Sequence, residues 1–418
     1  MYALVDCNNF YVSCERVFNP NLQNKPVAIL SNNDGCVISL SDEAKKTGLP
    51  FGVPAFKYEA FFKVNNITIL SSNYPLYGDM STRVMKILHQ FTPDIEVYSI
   101  DEAFLEFKGF QNYNLEDYGL KIRKRILQWT GIPTSVGIAS TKALSKVANK
   151  IARKYPKKTN GVYVIDSDEK HIKALRWISL KNVWGIGNRL EKRLLLKGCK
   201  NALDFIQLSD RWILKNFSVS EWKLKKELQG VPKFLLEEIS SKKNIATTRS
   251  FESTFSDIDN IKERVATFAT SCAEKLRKQQ SNCQIIIVFL RSNHYKKDTK
   301  QHKASISIVL PYPTNSSLTI SKVAVQAVTQ LFKKGIAYKR AGVLVSGLVP
   351  TNNYQLNLFV QENPKHKPLM RVVDKINTKF KANKIKLASQ DLQQTWKMRQ
   401  ERLSPKYTTN INDIITVK

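Results

Sequence analysis

Residues 95–107 read IEVYSIDEAFLEF. Ile95, Val97, Ala103 and Leu105 fall on alternate positions, the period of a half-buried strand. An unbroken strand sets Asp101 on that same apolar face, where a carboxylate is costly unless something compensates it. A turn in the middle sets Asp101 and Glu102 together at its tip. Magnesium is the natural compensator in either case. It is a hard ion that takes carboxylate oxygens together with the phosphate oxygens of a substrate. Two such ions about 3.5–4 Å apart clamp the attacking and leaving oxygens of a phosphoryl displacement. Acids at strand ends and turn tips are also ordinary turn chemistry, so the pair alone decides little.

Working outward, the flanking segments alternate strand and helix. Ala3-Leu4-Val5 is a short apolar strand that ends on Asp6, and Val27 to Leu30 is another, closed by the turn Asn33-Asp34-Gly35. Downstream, Leu120, Ile122, Ile126 and Leu127 repeat at helical spacing. Thr134 to Ala139 reads as a strand and Lys142 to Lys154 as a basic helix. The pattern is α+β.

Residues 176–240 read as all-helical, with Gly185-Ile186-Gly187 near their start. From about residue 243 the order is extended stretch (246–255), helix (261–276), two strands (283–291 and 305–310), helix (321–332) and strand (342–349). That is βαββαβ, the ferredoxin-like split arrangement, joined to the rest by Ser240-Ser241-Lys242-Lys243. After Pro350 a polar, basic tail is expected, with one amphipathic helix bearing Leu369, Val372, Val373, Ile376 and Phe380 on one face.

The chain has 418 residues, enough for two to four domains at roughly 100–200 residues each. It carries a formal net charge of +31. Residues 1–110 hold 9 Lys and Arg against 12 Asp and Glu, so the whole excess lies beyond them. A basic body beside a slightly acidic carboxylate-bearing segment points to a grip on a polyanion. The longest apolar run, Ile285 to Leu290, is far short of the ~20 residues of a membrane span. The opening MYALVDCNN lacks the basic segment of a secretory signal. Six scattered cysteines with no C-x-x-C fit neither a disulfide framework nor a zinc site, as in reduced cytosolic proteins.

Five segments carry a resemblance in order along the chain: LVDCNNFYVSCE, SNNDGCVIS, SSNYPLYGDMS, YSIDEAF and VGIASTKALSKVANKIA. Together they resemble the Y-family of DNA polymerases. With NNDGCVI, VWGIG, QLNLF and LSPKYTT, the chain is most similar to the UmuC branch of that family. The resemblance implies a right-handed, α+β multidomain polymerase for translesion synthesis in the SOS response to DNA damage, with low fidelity and no proofreading. Palm and fingers would occupy 1–175 (fingers about 20–75) and a helical thumb with a helix-hairpin-helix 176–240. A ferredoxin-like little finger would occupy 241–350, and a tail with a clamp-binding peptide 351–418.

The same resemblance implies that Asp6, Asp101 and Glu102 bind two Mg²⁺ ions, with the backbone carbonyl of Cys7 as a further ligand. Many relatives carry a second Asp two residues after the first, where this chain has Asn8. Tyr11 matches the aromatic gate that lies under the sugar and clashes with a ribonucleotide 2′-hydroxyl. Phe10 beside it contacts the nucleotide or packs in the core. Lys45, where relatives often carry Arg, and Arg153 match triphosphate-binding positions. A Lys there is a point charge and not a bidentate fork.

Gly185 and Gly187 would let backbone amides approach a DNA phosphate. Lys242, Lys243, Arg249, Lys296, Lys297, Lys300 and Lys303 would track the duplex backbone, or serve only as a solubilising surface. Gln355, Leu356, Leu358 and Phe359 match the peptide that attaches such enzymes to the sliding clamp. The implied partners are primer-template DNA, deoxynucleoside triphosphates, the clamp, a processed UmuD dimer and a RecA filament, in the bacterial cytoplasm at the nucleoid. Two other readings keep some of these features: a two-metal nuclease using the same carboxylates, and a non-enzymatic DNA-binding protein using only the basic body.

Overall fold

Strand β1 (Tyr2–Cys7) is buried at every residue, as its short apolar run requires of a central strand. The computed structural model describes residues 1–415 apart from 238–240, 297, 354–356, 358, 361, 381–383 and 393–397. It divides into two units, Met1–Ile239 with Gln400–Lys418, and Ser240–Arg399.

In the first unit the chain leaves β1 through a helix (Phe10–Phe18) and builds a small sheet from β2 (Val27–Leu30), β3 (Val37–Leu40) and β4 (Thr68–Ser71). There β2 is central, antiparallel to β3 and parallel to β4. This lobe has its own core around Leu30, Val37, Leu40 and Phe62, and is the fingers. A helix (Tyr74–Leu88) leads back to β5 (Ile95–Val97), β6 (Glu102–Glu106), β7 (Thr134–Ala139) and β8 (Val162–Val164). With β1 they form the palm sheet, in the order β5-β6-β1-β7-β8.

The stretch 95–107 is therefore two strands and a turn. Ser99 makes the break. Its hydroxyl accepts from the amides of Asp101 and Glu102 at 3.2 and 3.0 Å, and the amides of Tyr98 and Ser99 both donate to the Glu102 carbonyl. A Ser side chain that satisfies nearby amides competes with the sheet ladder, so the tip outranks the alternation.

The basic helix Lys142–Lys154 lies against β7 at unusually close range. A Cβ on Gly137 would stand 2.0 Å from the Asn149 amide nitrogen and 2.3 Å from the Ser145 carbonyl oxygen. Buried Asn149 uses that approach, donating to the carbonyls of Leu4 (3.2 Å) and Ser135 (2.8 Å). Four short helices follow (Asn188–Leu196, Ala202–Gln207, Asp210–Asn216, Val219–Leu228). Capping boxes at Asn201 and Ser218 start two of them. Their Leu194, Phe205, Ile213 and Leu224 share a core with Leu144 and Val147 of the basic helix. This is the thumb.

The second unit is the little finger: β9 (Ile245–Phe255), a helix (Ile258–Lys278), β10 (Ser281–Ser292), β11 (Lys303–Thr314), a helix (Ser317–Leu331) and β12 (Tyr338–Pro350). The element order is the βαββαβ read from the sequence. In space the sheet runs β11-β10-β12-β9, antiparallel throughout. The second and fourth strands are thus central, where a ferredoxin-like split centres the first and third. Both arrangements contain one hairpin and two helical crossovers, so element order alone does not separate them.

The region after Pro350 is more structured than a tail. A helix (His366–Lys379) docks on the little finger through buried Met370 and through Arg277, which grips Asp374 with Nε at 2.6 Å and Nη2 at 2.8 Å. The expected apolar face is only partly the docked one: Val373 is half-buried, but Leu369, Val372 and Phe380 are exposed. The ion pair rotates the helix so that Met370, Val373 and Asp374 face inward. Beyond it, the segment from Gln400 belongs to the first unit again.

Candidate active site

The end of β1 meets the turn that leads into β6. Asp6 lies opposite Glu102 in the β1–β6 register, and the Cys7 amide donates to the Asp101 carbonyl at 2.9 Å. The three expected carboxylates are thereby neighbours. Cys7 ends β1 with its thiol buried and pushed well above its ordinary value by that burial.

Each carboxylate already has a partner. The Ser99 hydroxyl donates to Asp101 Oδ1 at 2.6 Å, Lys146 Nζ to Glu102 Oε2 at 2.8 Å, and Arg153 Nη1 to Asp6 Oδ1 at 3.2 Å. Among the described residues, no group of three His, Cys, Asp or Glu side chains is gathered to hold an ion as it stands. The donor set nonetheless suits a hard cation: three neighbouring carboxylates, at the end of β1, in the turn and at the start of β6. Burial pushes the Asp6 carboxyl up to about 7; Arg153 opposes that and Glu102 and Asp101 reinforce it. Three acids this close, one of them buried, cannot all remain ionised without positive charge.

The basic helix supplies that charge. Lys146, Lys150 and Arg153 stand at i, i+4 and i+7, on one face. Its N-terminus is held by Glu227, a fully buried carboxylate that accepts from the Ala143 amide at 3.0 Å. Buried Lys142 pairs with Glu96 at 2.7 Å. Lys146 sits among aromatic rings, 4.4 Å from the centroid of Tyr98 and 5.6 Å from that of Trp184, whose faces attract its charge. Burial, then repulsion from Lys146, lowers the Lys150 ammonium. Only Arg153 of the three was expected; the i, i+4, i+7 spacing was the signal that names the others.

Lys45 and Arg153, matched to triphosphate-binding positions, are both paired with carboxylates. Lys45 Nζ bonds Asp42 Oδ1 at 2.9 Å and also Asn9 Oδ1. Arg153 Nη2 reaches the same Asn9 oxygen at 3.0 Å. Asn9 bridges them from a left-handed backbone (φ 48°) just before the first helix, a conformation Asn tolerates better than most residues. Asn8 turns away, accepting from the Ser135 hydroxyl at 2.9 Å.

Tyr11 is half-buried and stacks on Tyr77 at 4.5 Å between centroids, with Tyr74 edge-on at 6.2 Å. Of the two expectations for Phe10, nucleotide contact or core packing, the structure has the second. It is 3% exposed within the palm core, 5.8 Å from the Tyr11 ring, because the helix that presents Tyr11 turns position 10 inward.

Gly185 has φ +85°, which only glycine adopts freely, while Gly187 is extended with open space around its Cα. Trp184 between them and the palm donates to the Tyr98 hydroxyl at 3.0 Å. On the little finger Lys242, Lys243, Arg249, Lys296, Lys300 and Lys303 are all exposed. Lys297, Gln355, Leu356 and Leu358 lie outside the described residues, and Phe359 is 92% exposed. Among the described residues, no helix is long and apolar enough to cross a membrane.

Comparison with known proteins agrees with this layout. Residues 5–150 match the model of the impB/mucB/samB family and residues 242–358 that of its C-terminal domain, while 367–417 match a domain of unknown function. The chain is 39% identical to Protein UmuC of Salmonella typhimurium over the full length of both. It is 37% identical to Protein MucB of Escherichia coli over 99% of each. A DNA polymerase IV of Saccharolobus solfataricus is 33% identical over 49% of this chain and 58% of its own. Among solved structures, a Y-family DNA polymerase chimera superposes with TM-score 0.67 at 21% identity, over 84% of this chain and 99% of its own. The two family-model matches and the full-length likeness to UmuC make the chain a member of the impB/mucB/samB family, with the fold of a Y-family DNA polymerase.

Proposed function

We infer that the protein is a template-directed DNA polymerase for translesion synthesis. The observation that carries this is the meeting of Asp6, Asp101 and Glu102 at the end of β1, in a chain alike to UmuC over its whole length. Asp6, Asp101 and Glu102 hold two Mg²⁺ ions, with the Cys7 carbonyl completing the set. The ions supply Lewis-acid stabilisation of the attacking and leaving oxygens. Arg153 and Lys45 leave Asp6, Asp42 and Asn9 to hold the triphosphate, and Lys146 leaves Glu102.

Tyr11 lies under the deoxyribose. Its ring, fixed by the Tyr77 stack, leaves no room for a 2′-hydroxyl. Gly185, Gly187 and the little-finger cations hold the DNA backbone without reading sequence. The peptide ending at exposed Phe359 attaches the enzyme to a sliding clamp, and the C-terminal region meets a processed UmuD dimer and a RecA filament at the nucleoid.

Primer extension on a damaged and an undamaged template, with Mg²⁺ and deoxynucleoside triphosphates, tests the reading. Asp101→Ala and Glu102→Ala are each expected to cut extension by about 10²–10³-fold, the loss of a group that acts on developing charge. Extension by either variant at the wild-type rate would sink the site assignment.

A further inference from the structure

The C-terminal segment of unknown function returns from the second unit and lies across the junction of fingers and palm. Its contacts concentrate on Ser71-Ser72-Asn73, three fully buried residues just before the helix Tyr74–Leu88. The Ser71 amide donates to the Arg402 carbonyl at 2.9 Å, and the Arg402 amide to the Ser71 hydroxyl at 3.0 Å. Gln400 Nε2 donates to the Ser72 carbonyl at 2.8 Å. Asn73 caps the helix with its side-chain oxygen and gives its Nδ2 to Ser404 Oγ at 2.9 Å and to the Pro405 carbonyl at 3.1 Å. Farther on, Tyr407 stacks on Phe18 at 5.0 Å.

Ser404 also reaches inward. Its hydroxyl donates to Glu15 Oε1 at 3.0 Å, and the same oxygen accepts from the Tyr77 hydroxyl at 2.7 Å. Glu15 is 1% exposed and Tyr77 fully buried. An unbroken chain of contacts thus runs from Ser404 through Glu15 and Tyr77 to the stacked face of Tyr11. Through Asn73 the same serine holds the start of the helix that carries both Tyr74 and Tyr77. A buried carboxylate that loses one of two donors is incompletely satisfied, and the group it orients loses its fixed position.

We propose that the segment Gln400–Tyr407 is a strap that sets the sugar selectivity of the polymerase, with Ser404 as a positioning residue acting on Tyr11 through Glu15 and Tyr77. The proposal rests on Tyr11 being the sugar gate. Nothing in the sequence brings residue 404 next to residue 15; the fold alone does.

The test is the ratio of kcat/KM for a deoxynucleotide to that for its ribonucleotide, in the full chain. Ser404→Ala is expected to lower the ratio roughly three- to tenfold, the effect of one buried hydrogen bond, and Ser404→Thr to keep it near wild type. In a Tyr11→Ala background Ser404→Ala is expected to change nothing further. An unchanged ratio in folded Ser404→Ala protein, or the same fold-change with and without Tyr11, overturns the strap. Tyr407→Ala, which removes the stack on Phe18 that anchors the strap, is expected to shift the ratio in the same direction and serves if Ser404→Ala folds poorly; no shift counts against the proposal. Failure of the gate itself is distinct: Tyr11→Ala alone would then leave the ratio unchanged.

Discussion

At Asp6 burial and charge pull in opposite directions. Burial holds the carboxyl at about 7, above the ordinary 3.8, although Arg153 stands against it. The folded chain keeps a proton that the unfolded chain releases, so the metal-free protein loses stability as pH rises from about 4 to about 7. Cations compete with that proton for the same oxygens. The Mg²⁺ concentration for half-maximal primer extension is therefore expected to fall as pH rises toward about 7, and to level off above it. A magnesium requirement that stays constant across that range would show that Asp6 is not among the groups that bind the ion. Tyr11 offers the second prediction at this scale. Removing its ring by Tyr11→Ala is expected to raise ribonucleotide incorporation at least about tenfold, about 1.4 kcal/mol of lost discrimination. Incorporation assays with matched deoxy- and ribonucleotides measure it directly.

At the scale of elements, the helix Lys142–Lys154 does most to assemble the site. It sets Lys146 against Glu102 and Arg153 against Asp6, and it does so because Gly137 lets it lie directly on β7. Gly137→Ala would force a Cβ into the backbone of that helix, so a loss of more than ~3 kcal/mol is expected, visible as a large drop in melting temperature. Gly187→Ala is the contrast, since nothing lies within 4 Å of the added carbon. Its melting temperature is expected to stay near wild type, and any effect should appear in DNA affinity alone. Equal melting temperatures for the two variants would contradict the close helix–strand packing. The strand 95–107 shows the limit of pattern reading at this scale. Period-2 alternation continues through the turn, and only the hydrogen bonds of Ser99 reveal that the chain doubles back there.

For the whole molecule the charge distribution is the governing quantity. Residues 1–110 carry 9 basic and 12 acidic side chains, and the remaining 308 residues hold the entire excess of the +31 total. Cations that replace counterions on DNA give binding a steep dependence on salt, with a log–log slope of about −0.9 per phosphate contacted. Duplex affinity is expected to fall by orders of magnitude between low and near-physiological salt; a flat titration would assign the charge to another use. Much of this molecule is legible in its sequence. Element types and boundaries from Thr134 to Lys154, and element types with ends a few residues short or shifted through the little finger, follow from local periodicity, and the acids of the site are identifiable by residue type and motif. These features depend on neighbours a few positions apart, which the chain states outright. Three others depend on contacts between distant residues: the β11-β10-β12-β9 strand order, the bridge of Asn9 between Lys45 and Arg153, and the return of Ser404 to Glu15 across 389 positions. Those partners are chosen by which surfaces and charges come within reach once the core has closed, and only the tertiary structure decides that.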